Sequence, residues 1–198
     1  MAAYDLIVVG ASWGGLEATQ RLLADLPSDF SLPIVIAQHR AVESRSGMAA
    51  LIERRSGRDV VEAGDKDEIE NGRVYLAPPD YHLFVEPGSF ALSTDAHVQH
   101  SRPSIDVLFE SAADAYRERL IAVILTGLNE DGAYGIERVR RAGGSTIAQD
   151  PASAERASMP QAAIDTGFID RVVPLEQIGP LLAGLGGGEQ PAAHGAAA

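Results

Sequence analysis

The stretch "YDLIVVGASWGG", Tyr4 to Gly15, decides the fold. Its β-branched run Ile7-Val8-Val9 stops at Gly10, and the helical spacing of "LEATQRLLADL" begins at Leu16. Ser12 therefore stands on a strand-to-helix turn. Leu16, Leu22, Leu23 and Leu26 give that helix an apolar side and Pro27 ends it, after which "PIVIAQH" from Pro33 reads as a second strand. Together these make a βαβ unit. A third run of the same kind, "RLIAVILTG", starts at Arg119. Runs this short, rich in Ile and Val and without polar alternation, suit strands buried on both faces of a parallel sheet.

Between these runs, "GRVYLAPPDYHLFVEPGSFALST" holds three short alternating segments, with Pro87-Gly88 as a turn signal, and predicts an antiparallel excursion. "RPSIDVLFESAADAYRERL" follows as a helix with Ile105, Leu108, Phe109 and Ala112 on one face, and "GAYGIERVRRAGG" as another after the Arg119 strand. "TIAQDPASAERASMPQAAIDTGFIDRVV" reads as strand, loop, short helix and last strand. The expected fold is α/β, doubly wound, with a mostly parallel sheet and helices on both faces. One domain is expected over residues 1–183. From Gly184, "GLGGGEQPAAHGAAA" has too few large apolar residues to offset the entropy of ordering, so residues 184–198 are expected to form a disordered tail.

Composition narrows the function. The 198 residues carry 28 Asp+Glu against 16 Lys+Arg, a net charge of −12 that disfavours nucleic acid and anionic membrane faces. No apolar run approaches the roughly 20 residues that cross a bilayer, so no membrane insertion is expected. With no cysteine there are no disulfides or thiolate metal sites, and "MAAYDLIVV" lacks the basic region and cleavage site of a signal peptide. A cytoplasmic location is expected.

Three chemistries compete for the glycine turn. A dinucleotide fingerprint, G-x-G-x-x-G, is spoiled because Ser12 replaces its middle glycine and the second strand ends in Gln38-His39, where the ribose-binding acid should stand. A phosphate loop fails because no lysine follows the glycines. Gly10-Ala11-Ser12-Trp13-Gly14 does satisfy G-x-S-x-G, a nucleophile elbow in which glycines tolerate a strained backbone and the helix N-terminus favours negative charge. In an open parallel sheet the loops leaving neighbouring strands converge at the switch point. His39 ends the second strand and Asp131 lies in the loop "TGLNEDGAYG", so Ser12, His39 and Asp131 follow three different strands. Alternatives stay open: Ser12 as an inert residue of a structural glycine turn, Asp131 as an N-cap for the helix after it, or a structural strand-end histidine.

At these residues the chain resembles the catalytic domain of the CheB family of chemotaxis receptor protein-glutamate methylesterases. The resemblance runs from about Tyr4 to Leu182 through "VVGASWGGLEA", "IAQH", "VYLAPPDYHLFV", "RPSIDVLFESAA", "VILTGLNEDGAYG" and "TIAQDPASA". It implies hydrolysis of glutamate γ-methyl esters on the cytoplasmic helices of chemoreceptors, often with deamidation of receptor glutamines, and no metal or organic cofactor. The family's nucleophile falls on Ser12, its histidine on His39 and its acid on Asp131. Backbone N–H groups of the elbow and of Leu128 are the candidate oxyanion donors, and Arg102 is a candidate ligand for substrate carboxylates or else a helix-end surface arginine.

The chain departs from the family pattern at several of these positions. Trp13 replaces a threonine and stands beside the nucleophile; Leu128 replaces a methionine, Asn129 a glycine and Arg40 a methionine. The best-known members also carry an N-terminal phosphoacceptor receiver domain, whereas here the first strand begins at Leu6. The expectation is a protein not controlled by its own phosphorylation: unregulated, controlled by a separate regulatory protein, or serving another signalling system. A non-catalytic receptor-binding module of the same fold, with Trp13 obstructing chemistry, is the main alternative; a nucleotide-binding oxidoreductase is the second. Asp106, in the first turn of its helix, and Glu130, expected to face solvent, rival Asp131 as the acid. His82, His97, His100 and His194 form no cluster with metal-ligand spacing.

Overall fold

The computed structural model describes residues 4–40 and 47–186. Strand β1 (Leu6–Ala11) is buried along its whole length and pairs in parallel with β2 (Ile34–Gln38) on one side and β7 (Leu120–Ile124) on the other. Helix α1 (Gly15–Ala24) returns the chain from β1 to β2 as the βαβ pattern requires. Beyond β2 stand β4 (Val74–Leu76) and then β3 (Val60–Glu62); beyond β7 stand β8 (Ser145–Gln149) and β9 (Arg171–Val173). All these pairings are parallel, and the order β3-β4-β2-β1-β7-β8-β9 puts the switch point between β1 and β7. There the loops leaving adjacent strands part to opposite faces and open a crevice.

Alternation along each strand builds two cores. Leu6 and Val8 of β1 face a layer made by α3 (Ile105–Tyr116), α4 (Ala133–Arg141), α5 (Ser158–Asp165) and the hairpin β5 (His82–Glu86) with β6 (Ser89–Ser93). Ile7 and Val9 face α1, α2 (Met48–Ser56) and α6 (Leu175–Gly186). The face expected for α3 is the one buried, with Ile105, Leu108, Phe109 and Ala112 fully inaccessible.

The structure differs from the sequence pattern at three places. Of the three segments expected to form an antiparallel excursion, only β5 and β6 pair that way; β4 joins the main sheet, because Val74, Tyr75 and Leu76 are buried against β2. Helix α2 and strand β3 lie in a stretch for which the sequence pattern assigned no element. Helix α6 runs to Gly186, past the expected boundary at 183, held by Leu185 in the core and by Gly186 packing on Phe30. The rest of the expected tail, 187–198, lies outside the described residues. No described helix is long and apolar enough to cross a membrane.

Candidate active site

Ser12 leaves β1 at the crevice, its N–H donating to Thr126 O at 3.0 Å in the loop after β7. The turn is less strained than a nucleophile elbow suggests: the residue with positive φ is Gly14, at 75°, and Ser12 is not among the residues there. Gln38, at the end of β2, clamps the turn by donating from Nε2 to Ser12 O at 2.8 Å and to His39 O at 3.0 Å. Its seat requires Gly15, since a Cβ there would fall 2.3 Å from Gln38 Oε1 and 2.6 Å from Ala11 Cβ.

The structure brings Ser12, His39 and Asp131 together. Ser12 Oγ lies 3.2 Å from His39 Nδ1, and His39 Nε2 lies 2.7 Å from Asp131 Oδ2. The ionised carboxylate only accepts, so Nε2 carries the ring hydrogen and Nδ1 presents a lone pair to the serine hydroxyl. Asn129 Nδ2 approaches the same Nδ1 at 3.5 Å.

Asp131 is fully buried. Oδ1 accepts from Ser104 Oγ at 3.0 Å and Asp106 N at 2.9 Å, while Oδ2 accepts from Ile105 N at 2.8 Å as well as from His39. The acid thus sits on the N-terminus of α3, whose N-cap is Ser104, where orphan N–H groups and the helix dipole favour a negative charge. Burial alone would raise its pKa; the bonds from His39, Asp106 N–H and Ile105 N–H outweigh that and hold it below the ordinary carboxylate value. Asp131 is not the N-cap of α4, a position Gly132 takes.

The rivals fall elsewhere. Glu130 is exposed. Asp106 is buried beside Asp131 but turned from His39, its Oδ1 accepting from Gly132 N at 2.9 Å and Gly135 N at 2.7 Å, its Oδ2 from Gln99 Nε2 at 2.8 Å. Desolvation, against the pull of these donors and with the charge of Asp131 nearby, pushes it up to about 6.

Trp13 is 54% exposed, yet it is latched: Nε1 donates to Glu155 Oε1 at 2.8 Å, the Arg156 guanidinium lies 5.6 Å from the ring centroid, and its carbonyl accepts from Thr126 Oγ1. The bond to Glu155 draws the indole toward the 154–156 loop. Leu128, 53% exposed, makes an apolar lip on the loop after β7. Among the described residues, neither Trp13 N–H nor Leu128 N–H donates to a protein acceptor. Arg102 is heavily engaged: Nε and Nη2 donate to Asp80, and Nη1 to Thr94 O and Asp95 O, which takes four of its five N–H directions. Arg40 turns away to Glu62 and Ala77 O.

Gln38, Ser104, Thr126 and Glu155 escaped the sequence pattern as parts of the site. Ser104, placed just before an apolar helical run, carries an N-cap signal, but that signal does not say which carboxylate its hydroxyl meets.

A family model described as CheB methylesterase matches residues 7–182. A Leptospira interrogans protein, named provisionally as a protein-glutamate methylesterase/protein-glutamine glutaminase, is 45% identical over 90% of this chain and 93% of its own length. The protein-glutamate methylesterase/protein-glutamine glutaminase 2 of Anaeromyxobacter dehalogenans is 41% identical over 89% of this chain, but the chain spans only 52% of it. The crystal structure of the Thermotoga maritima CheB methylesterase catalytic domain superposes with a TM-score of 0.87 at 34% identity, covering 92% of this chain and 98% of that one.

Proposed function

Because the chain belongs to the CheB methylesterase family, we propose that Ser12, His39 and Asp131 hydrolyse glutamate γ-methyl esters on cytoplasmic helices of chemoreceptor-like proteins. Glutamine side chains are the second substrate class, with ammonia as the leaving group in place of methanol. The observation that carries this reading is the continuous chain of hydrogen bonds from Ser12 Oγ through both ring nitrogens of His39 to a buried carboxylate.

Ser12 Oγ attacks the ester carbonyl carbon as His39 Nδ1 takes its proton, and the resulting imidazolium is stabilised by Asp131 through Nε2–H. The carbonyl oxygen becomes an oxyanion, for which the free N–H groups of Trp13 and Leu128 are the donors; one such donor typically contributes about 3–4 kcal/mol. His39 then returns the proton to the departing methoxide, giving methanol and an acyl-serine. Water, deprotonated by the same nitrogen, attacks the acyl carbon and releases the glutamate carboxylate and Ser12.

Glu155, which holds the indole, lines one pocket with Ser12, so the non-catalytic binding module with Trp13 across the serine is the alternative that the test must separate. The test is methanol release from a methylated chemoreceptor cytoplasmic fragment by the native protein and by Ser12→Ala. The variant should lose several orders of magnitude in rate with little change in stability. No release by either protein, across several receptors, would restore the binding module.

A further inference from the structure

Asp106 and Asp131 are the buried carboxylates among the described residues, and they are exchanged between two helices. Asp131, which precedes α4, is seated on the first N–H groups of α3; Asp106, inside α3, receives Gly132 N–H and Gly135 N–H at the start of α4. Each helix N-terminus therefore holds the other helix's acid, and the end of the loop where Asp131 meets α4 is tied to α3 in both directions. Packing the helices together does not by itself call for a carboxylate at 106, because an amide oxygen would accept the same two N–H groups. What the carboxylate adds is charge, and it adds it with no salt-bridge partner among the described residues. The ionisable groups that face it are both acids, Asp131 from the loop before α4 and Glu110 from the next turn of α3, with His39 beyond Asp131.

Resting on the triad reading, we propose that Asp106 is a positioning residue for the esterase reaction. It locks the Asp131 loop onto α3 and places a second negative charge behind Asp131, which favours the imidazolium that forms on His39 as Ser12 attacks. The charge is present only when Asp106 is ionised. Burial pushes that ionisation up to about 6, so activity carries a component that rises with pH through this region.

The test is the rate of covalent labelling of Ser12 by a fluorophosphonate, followed from about pH 5 to about pH 8, with Ser12→Ala as the unlabelled control. Asp106→Asn keeps an oxygen that accepts from the Gly132 and Gly135 N–H groups and lets Gln99 rotate its amide to receive the new N–H, so the fold is retained. It should label about tenfold more slowly near neutrality, the scale of one charge removed a few ångströms behind the pair, with its melting temperature not lowered and the Asp106 component gone from the profile. Gln99→Ala removes a donor that favours the charged form, and should move the rise to higher pH while leaving the high-pH rate unchanged.

Two results would overturn the proposal: Asp106→Asn labelling at the wild-type rate with the wild-type profile, or slowing at every pH in step with a lowered melting temperature. If the wild type itself fails to label at Ser12, the triad reading fails and this proposal falls with it. That outcome is distinguished because it also abolishes the difference between wild type and Ser12→Ala in methanol release.

Discussion

Replacing Asp131 by Asn tests the core of the site with the smallest change of shape. The carboxylate accepts four hydrogen bonds, from His39 Nε2, Ser104 Oγ, Ile105 N and Asp106 N. An amide offers one acceptor edge, and only Ser104 can reverse its hydroxyl to accept instead. If the amide oxygen faces His39 and Ile105, the N–H of Asp106 is left facing another donor. If the NH2 faces His39, the ring must flip tautomer, Nδ1 gains the hydrogen, and it can no longer take the proton of Ser12.

Both arrangements leave at least one buried N–H unsatisfied, about 1–3 kcal/mol of stability, and both remove the charge that stabilises the imidazolium. The rate of Ser12 labelling and of methanol release should fall by about three to four orders of magnitude, the loss known for an Asp-to-Asn change in a serine protease triad. The stability term has a definite sign with pH. The folded-state pKa of Asp131 is depressed, so its contribution is present above the unfolded value and is lost as pH falls toward the folded one. Denaturant unfolding should therefore show wild type and variant converging in acid. A variant that kept a tenth or more of the activity would refute the assignment of Asp131 as the acid.

Gly15→Ala should cost about 1–3 kcal/mol in thermal or denaturant unfolding, because the new methyl collides with Gln38 and Ala11, and it should slow Ser12 labelling by loosening the clamp on Ser12 O. Unchanged labelling would show that the Gln38 clamp is dispensable. Trp13→Ala keeps the backbone N–H proposed for the oxyanion, so its effect should fall on KM for a receptor fragment, about tenfold upward, with fluorophosphonate labelling nearly unaffected. A collapse of kcat instead would mean that the indole holds the turn itself. Asp106 has a folded pKa raised from 3.8 to about 6, so the folded state holds the extra proton between those values and the wild type loses stability as pH rises through them. Asp106→Asn should gain on the wild type across that window by on the order of 2–3 kcal/mol in denaturant unfolding, and a difference that does not change with pH would contradict the shift.

Much of this protein was written in local pattern. The β-branched run before Gly10, the 3.6-residue spacing after Leu16 and the apolar strands at Pro33 and Arg119 are features of contiguous residues. They suffice for the β2-β1-β7 centre of the parallel sheet, for α1 and for the turn that carries Ser12. His39 and Asp131 were legible as residues following strands, because loops at the carboxyl ends of a parallel sheet converge.

What remained depended on contacts between residues far apart in the chain, which no local period encodes. Asp131 and Asp106 are both acids near helix starts; which one meets His39, 92 positions from Asp131, was decided by how α3 and α4 exchange carboxylates across their N-termini. The Trp13 indole is held by Glu155, 142 positions away, and Arg102, in sequence a candidate ligand for substrate carboxylates or a helix-end surface arginine, is engaged by Asp80 and two loop carbonyls. Helix α6 continues through Pro180 and glycines that argue for coil, because burial of Ile178, Leu182 and Leu185 against the sheet outweighs local propensity. Sequence determined which groups could do chemistry and on which turns they stand; tertiary packing decided which of them touch, since that rests on desolvation and hydrogen bonding that exist only once distant segments are brought together.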